Sequence, residues 1–270
     1  MGWKEYIVFL LIVIGLARPV GLYLARVCQR RRTFLDPVLR PVESLLYRLF
    51  GVRPEQEMSA GLCITCFLLF GAGCTLLLFL VLIFQRWLPG GPADAYLTTP
   101  MTVDLAANTA VSFTTTTTWQ AYAGEQTLRY WAQVFGLVAQ NFLAGAAGLA
   151  LGFAFIRGFA RERSATIGNF WVDLTRSLLW VVLPLTLIGS LILMWQGVPL
   201  NMAPYTLAHT LEGRTQIIAQ GPAATLEFIK NLGTNGGGFF NANGAHPYAN
   251  PTPLTNLLGM LAIAVLPRRS

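Results

Sequence analysis

The residues with the clearest chemical potential lie in two uncharged, oxygen-rich stretches. One is Gly233–Asn243, reading Gly-Thr-Asn-Gly-Gly-Gly-Phe-Phe-Asn-Ala-Asn, and the other is a run of five threonines, Thr114, Thr115, Thr116, Thr117 and Thr118. Over Gly236–Gly238 there are no side chains, so backbone carbonyls can approach a ligand unobstructed. Carbonyl oxygens presented in this way replace the hydration shell of a cation. Gln120 follows the threonines directly. Its amide has two readings: it braces the backbone or faces an entering ion, or it is an interfacial polar group satisfied by water.

Other uses of a glycine tract fit less well. Gly233, Thr234, Asn235, Gly236, Gly237 and Gly238 lack the Gly-Lys-Ser/Thr ending of a phosphate loop and the third glycine of a dinucleotide loop. A flexible linker favours serine and polar residues over Phe239-Phe240. On the glycines alone, an ion filter and a tight structural loop both remain open.

The surrounding elements narrow the choice. Of 270 residues, 54% are hydrophobic and 11% charged. A soluble domain averages about 25% charged residues, so this composition is that of an integral membrane protein. The net charge of +7 could suit nucleic acid, but the arginines gather in particular loops, which is how membrane topology is written. Cys63 and Cys66 stand one helical turn apart in an apolar run, with Cys28 and Cys74 separate and neither His209 nor His246 near them in sequence. They read as small buried helix residues, not metal ligands. Asp94, Asp104, Glu125, Glu212, Glu227 and the two histidines are scattered over outer loops without nucleophile–base spacing, which argues against an enzyme.

Residues 1–26 contain a first crossing, Tyr6–Arg26, interrupted by Arg18-Pro19. Arg18 there is either an ion partner or a residue snorkelling to the interface. A secretory signal is disfavoured, because Lys4-Glu5 gives no positive N-terminal region and no Ala-x-Ala site follows Leu16. Residues 27–60, with Arg30, Arg31, Arg32, Arg40, Arg48 and Arg53, form a cytoplasmic loop, which puts the N-terminus outside. Within it, Val42, Leu45, Leu46 and Leu49 make Val38–Phe50 an amphipathic helix for the membrane surface.

Residues 61–156 hold an outward crossing (Gly61–Leu88), a short helix (Met101–Phe113, with Thr102 as N-cap and Asp104 in its first turn), the threonine run, and an inward crossing (Trp131–Ile156). Gly136, Gly145, Gly148 and Gly152 give the last a small-residue face for close helix packing. After a second arginine-rich cytoplasmic loop, 157–177, residues 178–270 repeat the plan: Leu178–Trp195 outward, an outer loop 197–220, Pro222–Leu232 as a short helix, the glycine tract, and Leu254–Leu266 starting inward. Eleven residues of helix extend about 16 Å, roughly half the hydrocarbon thickness. A half-crossing helix with its negative end toward an uncharged, carbonyl-rich segment is the layout of a pore loop. Two such units in register favour the filter reading.

These strings resemble a known family. Asn108-Thr109-Ala110-Val111-Ser112-Phe113 leading to Trp119-Gln120, Leu232–Asn243 leading to His246-Pro247, Leu16-Ala17-Arg18-Pro19 and Gly168–Leu174 are similar to the potassium-binding subunits of bacterial Kdp potassium-transporting ATPases. The resemblance covers essentially the whole chain. It implies an all-α integral membrane fold of pore-loop repeats (helix, re-entrant loop, helix) in a bacterial inner membrane. K⁺ would be taken from outside through a filter of Thr114–Thr118 and Gly233–Gly238 and handed by an intramembrane tunnel to a P-type ATPase subunit. The subunit would be non-catalytic and bind no nucleotide. Its partners would be that ATPase subunit, small accessory subunits and membrane lipid, with no nucleic acid.

Two departures stand out. The family commonly places asparagines where this chain has Thr116 and Thr118. It also has four pore-loop repeats, and two are present here. Leu254–Leu266 is thirteen residues, short of a crossing, and is followed by Arg268-Arg269, so the second repeat is expected to be truncated in its last helix. A rival from another class is a non-transporting membrane-assembly or scaffold fragment with an incomplete filter. The topology is testable by cysteine labelling: Arg30–Arg53 and Arg157–Arg163 should react from inside, Ala93–Thr99 and Gly197–Thr215 from outside. Outside labelling of Arg30–Arg32 would overturn it.

Overall fold

The structure, a computed structural model, describes residues 3–91, 94–161, 164–240 and 242–265. Ala93, Arg163, Asn241, Leu266 and Arg268-Arg269, which enter the sequence arguments above, lie outside the described residues.

Among the described residues, four helices are long and apolar enough to cross a membrane: α1 (Trp3–Cys28), α3 (Ala60–Ile83), α5 (Tyr130–Ala160) and α6 (Phe170–Trp195). Half of the apolar window of α5 and of α6 is buried, against 11% in α1 and 17% in α3, so α5 and α6 form the centre. The small residues of α5 explain its place. Ala144, Ala146, Ala147, Ala150 and Ala154 are all buried, letting neighbouring backbones come close. α1 exposes Ile7, Leu11 and Ile14, and α3 exposes Leu68, Leu69 and Leu76, apolar surfaces suited to lipid. Arg18 also lies on the exposed side of α1. Shorter helices complete the chain: α2 (Asp36–Phe50), α4 (Val103–Thr114), α7 (Ala223–Leu232) and α8 (Pro253–Val265).

Two segments differ from the sequence reading. Strands β1 (Thr206–His209) and β2 (Thr215–Ile218) pair antiparallel in the loop after α6, so the chain is mostly helical, not all-α. Each strand has four residues, too few for a period-2 pattern to declare itself. Second, α6 begins at Phe170, eight residues before the expected Leu178, which shortens the loop assigned to 157–177. Asn169 causes this. Its side-chain oxygen accepts from the Trp171 and Val172 N–H groups (3.0 and 3.3 Å), while its amide donates to the carbonyls of Arg53 and Gln56 (3.3 and 2.8 Å).

Arg176, counted above as a loop residue, is therefore buried inside α6. Its guanidinium donates to Glu43 of α2 (3.0 Å) and to the Val27 carbonyl (3.1 Å), and stacks 4.4 Å from the Trp180 ring centroid. Asp36 of α2 accepts from Trp180 Nε1 at 3.2 Å. α2 thus turns its acids inward and leaves Val38, Val42, Leu45 and Leu49 exposed, an apolar face suited to a membrane surface. Leu46 instead packs toward Val27, Leu179 and Trp180.

The arginine-rich loops meet on one side of the helices. Arg157 of α5 bridges Asp173 of α6 (2.8 Å to Oδ1) and the Cys28 carbonyl at the end of α1 (3.0 Å). Removing one member of a buried pair strands the other charge, which costs about 3–5 kcal/mol. Asp173→Ala should lower stability by about that amount in thermal unfolding of the detergent-purified protein. Glu57→Ala breaks the more exposed Glu57–Arg161 pair (2.9 Å) and should cost under about 1 kcal/mol.

Candidate ion-binding site

α4 starts with Thr102 as N-cap, its hydroxyl accepting from the Leu105 N–H at 3.4 Å, and Asp104 lies in the first turn. Thr114 is its last residue, so the non-helical run is Thr115–Thr118. Ser112 folds that run back on the helix: its carbonyl accepts from Thr118 N–H (3.0 Å) and its hydroxyl from Trp119 N–H (2.7 Å). Thr114 Oγ1 accepts from Gln140 of α5 at 3.2 Å. Thr116 and Thr118 have φ of +61° and +51°. For a β-branched residue this is strained, whereas asparagine tolerates it.

The glycine tract leaves α7 in a related way. Gly233 caps the helix, Thr234 N–H returns to the Asn231 carbonyl (3.1 Å) and Asn235 N–H to that of Lys230 (2.9 Å). Thr234, Gly237, Gly238 and Asn243 have φ of +56°, +72°, +129° and +49°. Gly236 does not have positive φ, so its lack of a side chain serves close approach alone. An added Cβ would stand 3.0 Å from Asn243 Oδ1 and 3.4 Å from Thr118 Oγ1. At Gly237 it would lie 2.6 Å from the Thr118 carbonyl oxygen, where only glycine fits.

The two stretches, more than a hundred residues apart, interlock through their side chains. Gly236 N–H donates to Thr118 Oγ1, Gly237 N–H to Asn243 Oδ1 and Gly238 N–H to Gln120 Oε1 (2.7 Å). Gln120 is 2% exposed, so it is not an interfacial residue satisfied by water. Asn235 donates to Asn141 of α5 at 2.7 Å, and Asn141 to the Leu137 carbonyl at 2.9 Å, inside the π-helical stretch Gln133–Val138. With the N–H groups of Thr234–Gly238 occupied, the glycine tract offers oxygen. Among the described residues, the carbonyls of Thr116, Thr117, Thr234, Asn235 and Gly236 accept no hydrogen bond. The described residues also contain no cluster of three or more His, Cys, Asp or Glu that could hold a metal. Neutral oxygens that replace water suit a weakly hydrated monovalent cation.

Sequence reasoning missed one feature. Lys230 of α7 is 2% exposed, pairs with Glu227 at 2.5 Å, and donates to the Gly237 carbonyl at 3.1 Å. Glu227, read above as an outer-loop acid, belongs to this buried pair. The signal was present as opposite charges three residues apart on an otherwise apolar helix. Glu125 was likewise not grouped with anything. It faces a cavity of about 310 Å³ with Tyr96, Tyr205, Phe240, His246 and Tyr248. Burial pushes the Glu125 carboxyl up and the His246 imidazole down from their ordinary values.

The sequence profile of the family described as potassium-transporting ATPase A subunit matches residues 7–269. This chain belongs to that family. It is 48% identical to the potassium-transporting ATPase potassium-binding subunit of Acidobacterium capsulatum, over 98% of this chain and 47% of that protein. Proteins of the same description from Koribacter versatilis (47% identity, 97% of this chain, 47% of the relative) and Bradyrhizobium diazoefficiens (48%, 98% and 46%) are similar to the same extent. The chain spans about half the length of these relatives.

Within the potassium-transporting ATPase A subunit family, the left-handed backbone at Thr116 and Thr118 gives a physical reason to expect asparagine at both positions. Thr116 is exposed and its hydroxyl bonds only locally, to the Thr115 carbonyl and nothing beyond. Thr116→Asn should therefore raise stability by about 1 kcal/mol through relieved strain. Thr118→Val keeps the branched shape but strands the Gly236 N–H, and should cost about 1–3 kcal/mol. Thermal unfolding midpoints of the two variants decide; shifts of equal sign would contradict this account.

Proposed function

We propose that this chain forms part of the K⁺-binding, channel-like subunit of a high-affinity, ATP-driven potassium uptake system. K⁺ enters from outside and loses water to the carbonyls of Thr116, Thr117 and Thr234–Gly236, the lining of a pore-loop filter. It then passes by an intramembrane tunnel to a P-type ATPase partner that carries the nucleotide chemistry. Small accessory subunits and lipid complete the complex. The protein lies in the bacterial inner membrane, N-terminus outside and arginine-rich loops inside.

The observation that carries this reading is the division of labour in the backbone. The side chains of Thr118, Asn243 and Gln120 satisfy the N–H groups of Gly236, Gly237 and Gly238, while the carbonyls of Thr234, Asn235 and Gly236 stay open among the described residues. A tight structural turn satisfies its own carbonyls internally, and this one does not. Gln120 is a brace in this scheme, holding Gly238 in place.

A second reading, an assembly fragment with an incomplete filter, is favoured by the exposure of Thr115, Thr116, Thr117 and Thr234, which leaves one side of the row uncovered. Gly236→Ser separates the two, because the added side chain meets only the movable Asn243 and Thr118 side chains at its tightest. The variant is made in the chain extended to the length of its relatives and assembled with the ATPase partner. The filter reading expects normal assembly, weaker K⁺ stimulation of ATP hydrolysis and reduced discrimination against Rb⁺ or Na⁺. Unaltered ion preference in the assembled variant, or no preferential thermal protection of the wild-type complex by K⁺ over Na⁺, sinks it.

A further inference from the structure

The geometry points to the buried Glu227–Lys230 pair as the element that ends the row of carbonyls at Gly236 and so sets ion preference. This inference rests on the filter reading proposed above. Lys230 Nζ holds the Gly237 carbonyl at 3.1 Å. An oxygen turned toward an ammonium behind the tract is withdrawn from an ion in front of it. Gly237 is also the first of two consecutive residues with positive φ, +72° and +129°, where the chain changes the direction in which its peptide groups point. The carbonyls of Thr234, Asn235 and Gly236 precede that change and accept no hydrogen bond among the described residues. The row is therefore shorter than Gly233–Gly238, and Lys230 marks its end.

The surrounding glycines are fitted to the pair. A Cβ on Gly238 would stand 3.0 Å from Lys230 Nζ, and one on Gly244 would stand 2.9 Å from Glu227 Oε1. The same Glu227 oxygen accepts from the Asn231 amide at 3.2 Å. Both charged side chains are nearly fully buried, at 2% and 7% exposure. Burying an ion pair is a poor way to gain stability, since apolar residues of similar volume pack as well or better. Fixing how many carbonyls face the ion is a different use, because their number and field strength govern the preference for K⁺ over Na⁺. The pair also does this without net charge. Lys230 alone would repel the cation, and Glu227 cancels that field. Lys230 is thus a positioning residue, acting through the Gly237 carbonyl.

The two single variants should move in opposite directions, a signature that simple loss of packing lacks. The assay is K⁺-, Rb⁺- and Na⁺-stimulated ATP hydrolysis, per assembled complex, in the chain at the length of its relatives with its ATPase partner. A unit charge at about 10 Å, through an effective dielectric constant of about 20, shifts an affinity on the order of tenfold. Glu227→Gln leaves the ammonium uncompensated, and half-maximal stimulation should need about tenfold more K⁺, with ion preference kept. Lys230→Met leaves the carboxylate and frees the Gly237 oxygen. It should lower the K⁺ requirement while discrimination against Na⁺ falls about tenfold.

If a lone buried charge prevents assembly, the neutral double variant Glu227→Gln/Lys230→Met replaces the single ones. It should assemble and show the same loss of discrimination. Wild-type ion preference in that double variant overturns the inference, as does its failure to assemble, or K⁺ requirements that rise together in both single variants. Gly236→Ser keeps the two proposals apart. Altered preference there, with none in the pair variants, removes only the role of Lys230. No change in either removes the filter reading as well.

Discussion

A backbone N–H buried away from water must find a partner in the protein. The glycine tract meets that constraint by borrowing. Thr118 and Gln120 come from one half of the chain and Asn243 from beyond the tract, and each takes one N–H of Gly236, Gly237 or Gly238. The two halves are therefore bound to each other at the place where the backbone is least able to support itself. Neither stretch would hold its shape alone.

The helices serve this junction. α4 and α7 deliver the two stretches, and their caps fix where each leaves the helix. α5 stands behind both, with Gln140 on Thr114 and Asn141 on Asn235. Its π-helical stretch, Gln133–Val138, lies at the base of that contact through the bond from Asn141 to Leu137. On the opposite, arginine-rich side, Arg157 and Arg176 tie α1, α2, α5 and α6 together through Asp173, Glu43 and backbone carbonyls. Apart from Arg18 of α1, charge in the long helices gathers toward their ends, and a single neutral pair lies under the tract. That placement keeps the cost of ionised groups in a low-dielectric setting small.

Strain is concentrated in the same place. Thr116, Thr118 and Thr234 carry positive φ without being glycine, and Gly237 and Gly238 carry it at close contacts. Such conformations persist only where surrounding bonds over-determine them, and they gather at functional positions. Here the bonds are those of Ser112, Asn231 and Lys230 to the turning chain.

Much of this was written along the chain. Hydropathy, arginine clustering and glycine content are local quantities. They located the apolar helices and the two uncharged stretches, and the residue strings carried the family. Caps could be read where donor and acceptor are close in sequence, as for Thr102 and Gly233. Asn169 escaped because its other partners, Arg53 and Gln56, are more than a hundred residues away. The start of α6, the burial of Arg176 and the two short strands were likewise tertiary outcomes. So was the site itself. Gln120 was legible as a polar residue beside the threonines, but its partner Gly238 was not. Lys230 and Glu227 stand three residues apart on an apolar helix, a signal left unread in the sequence, and only folding set the Gly237 carbonyl against the ammonium. A sequence lists donors and acceptors in order, whereas a hydrogen bond depends on which of them the fold brings within about 3 Å.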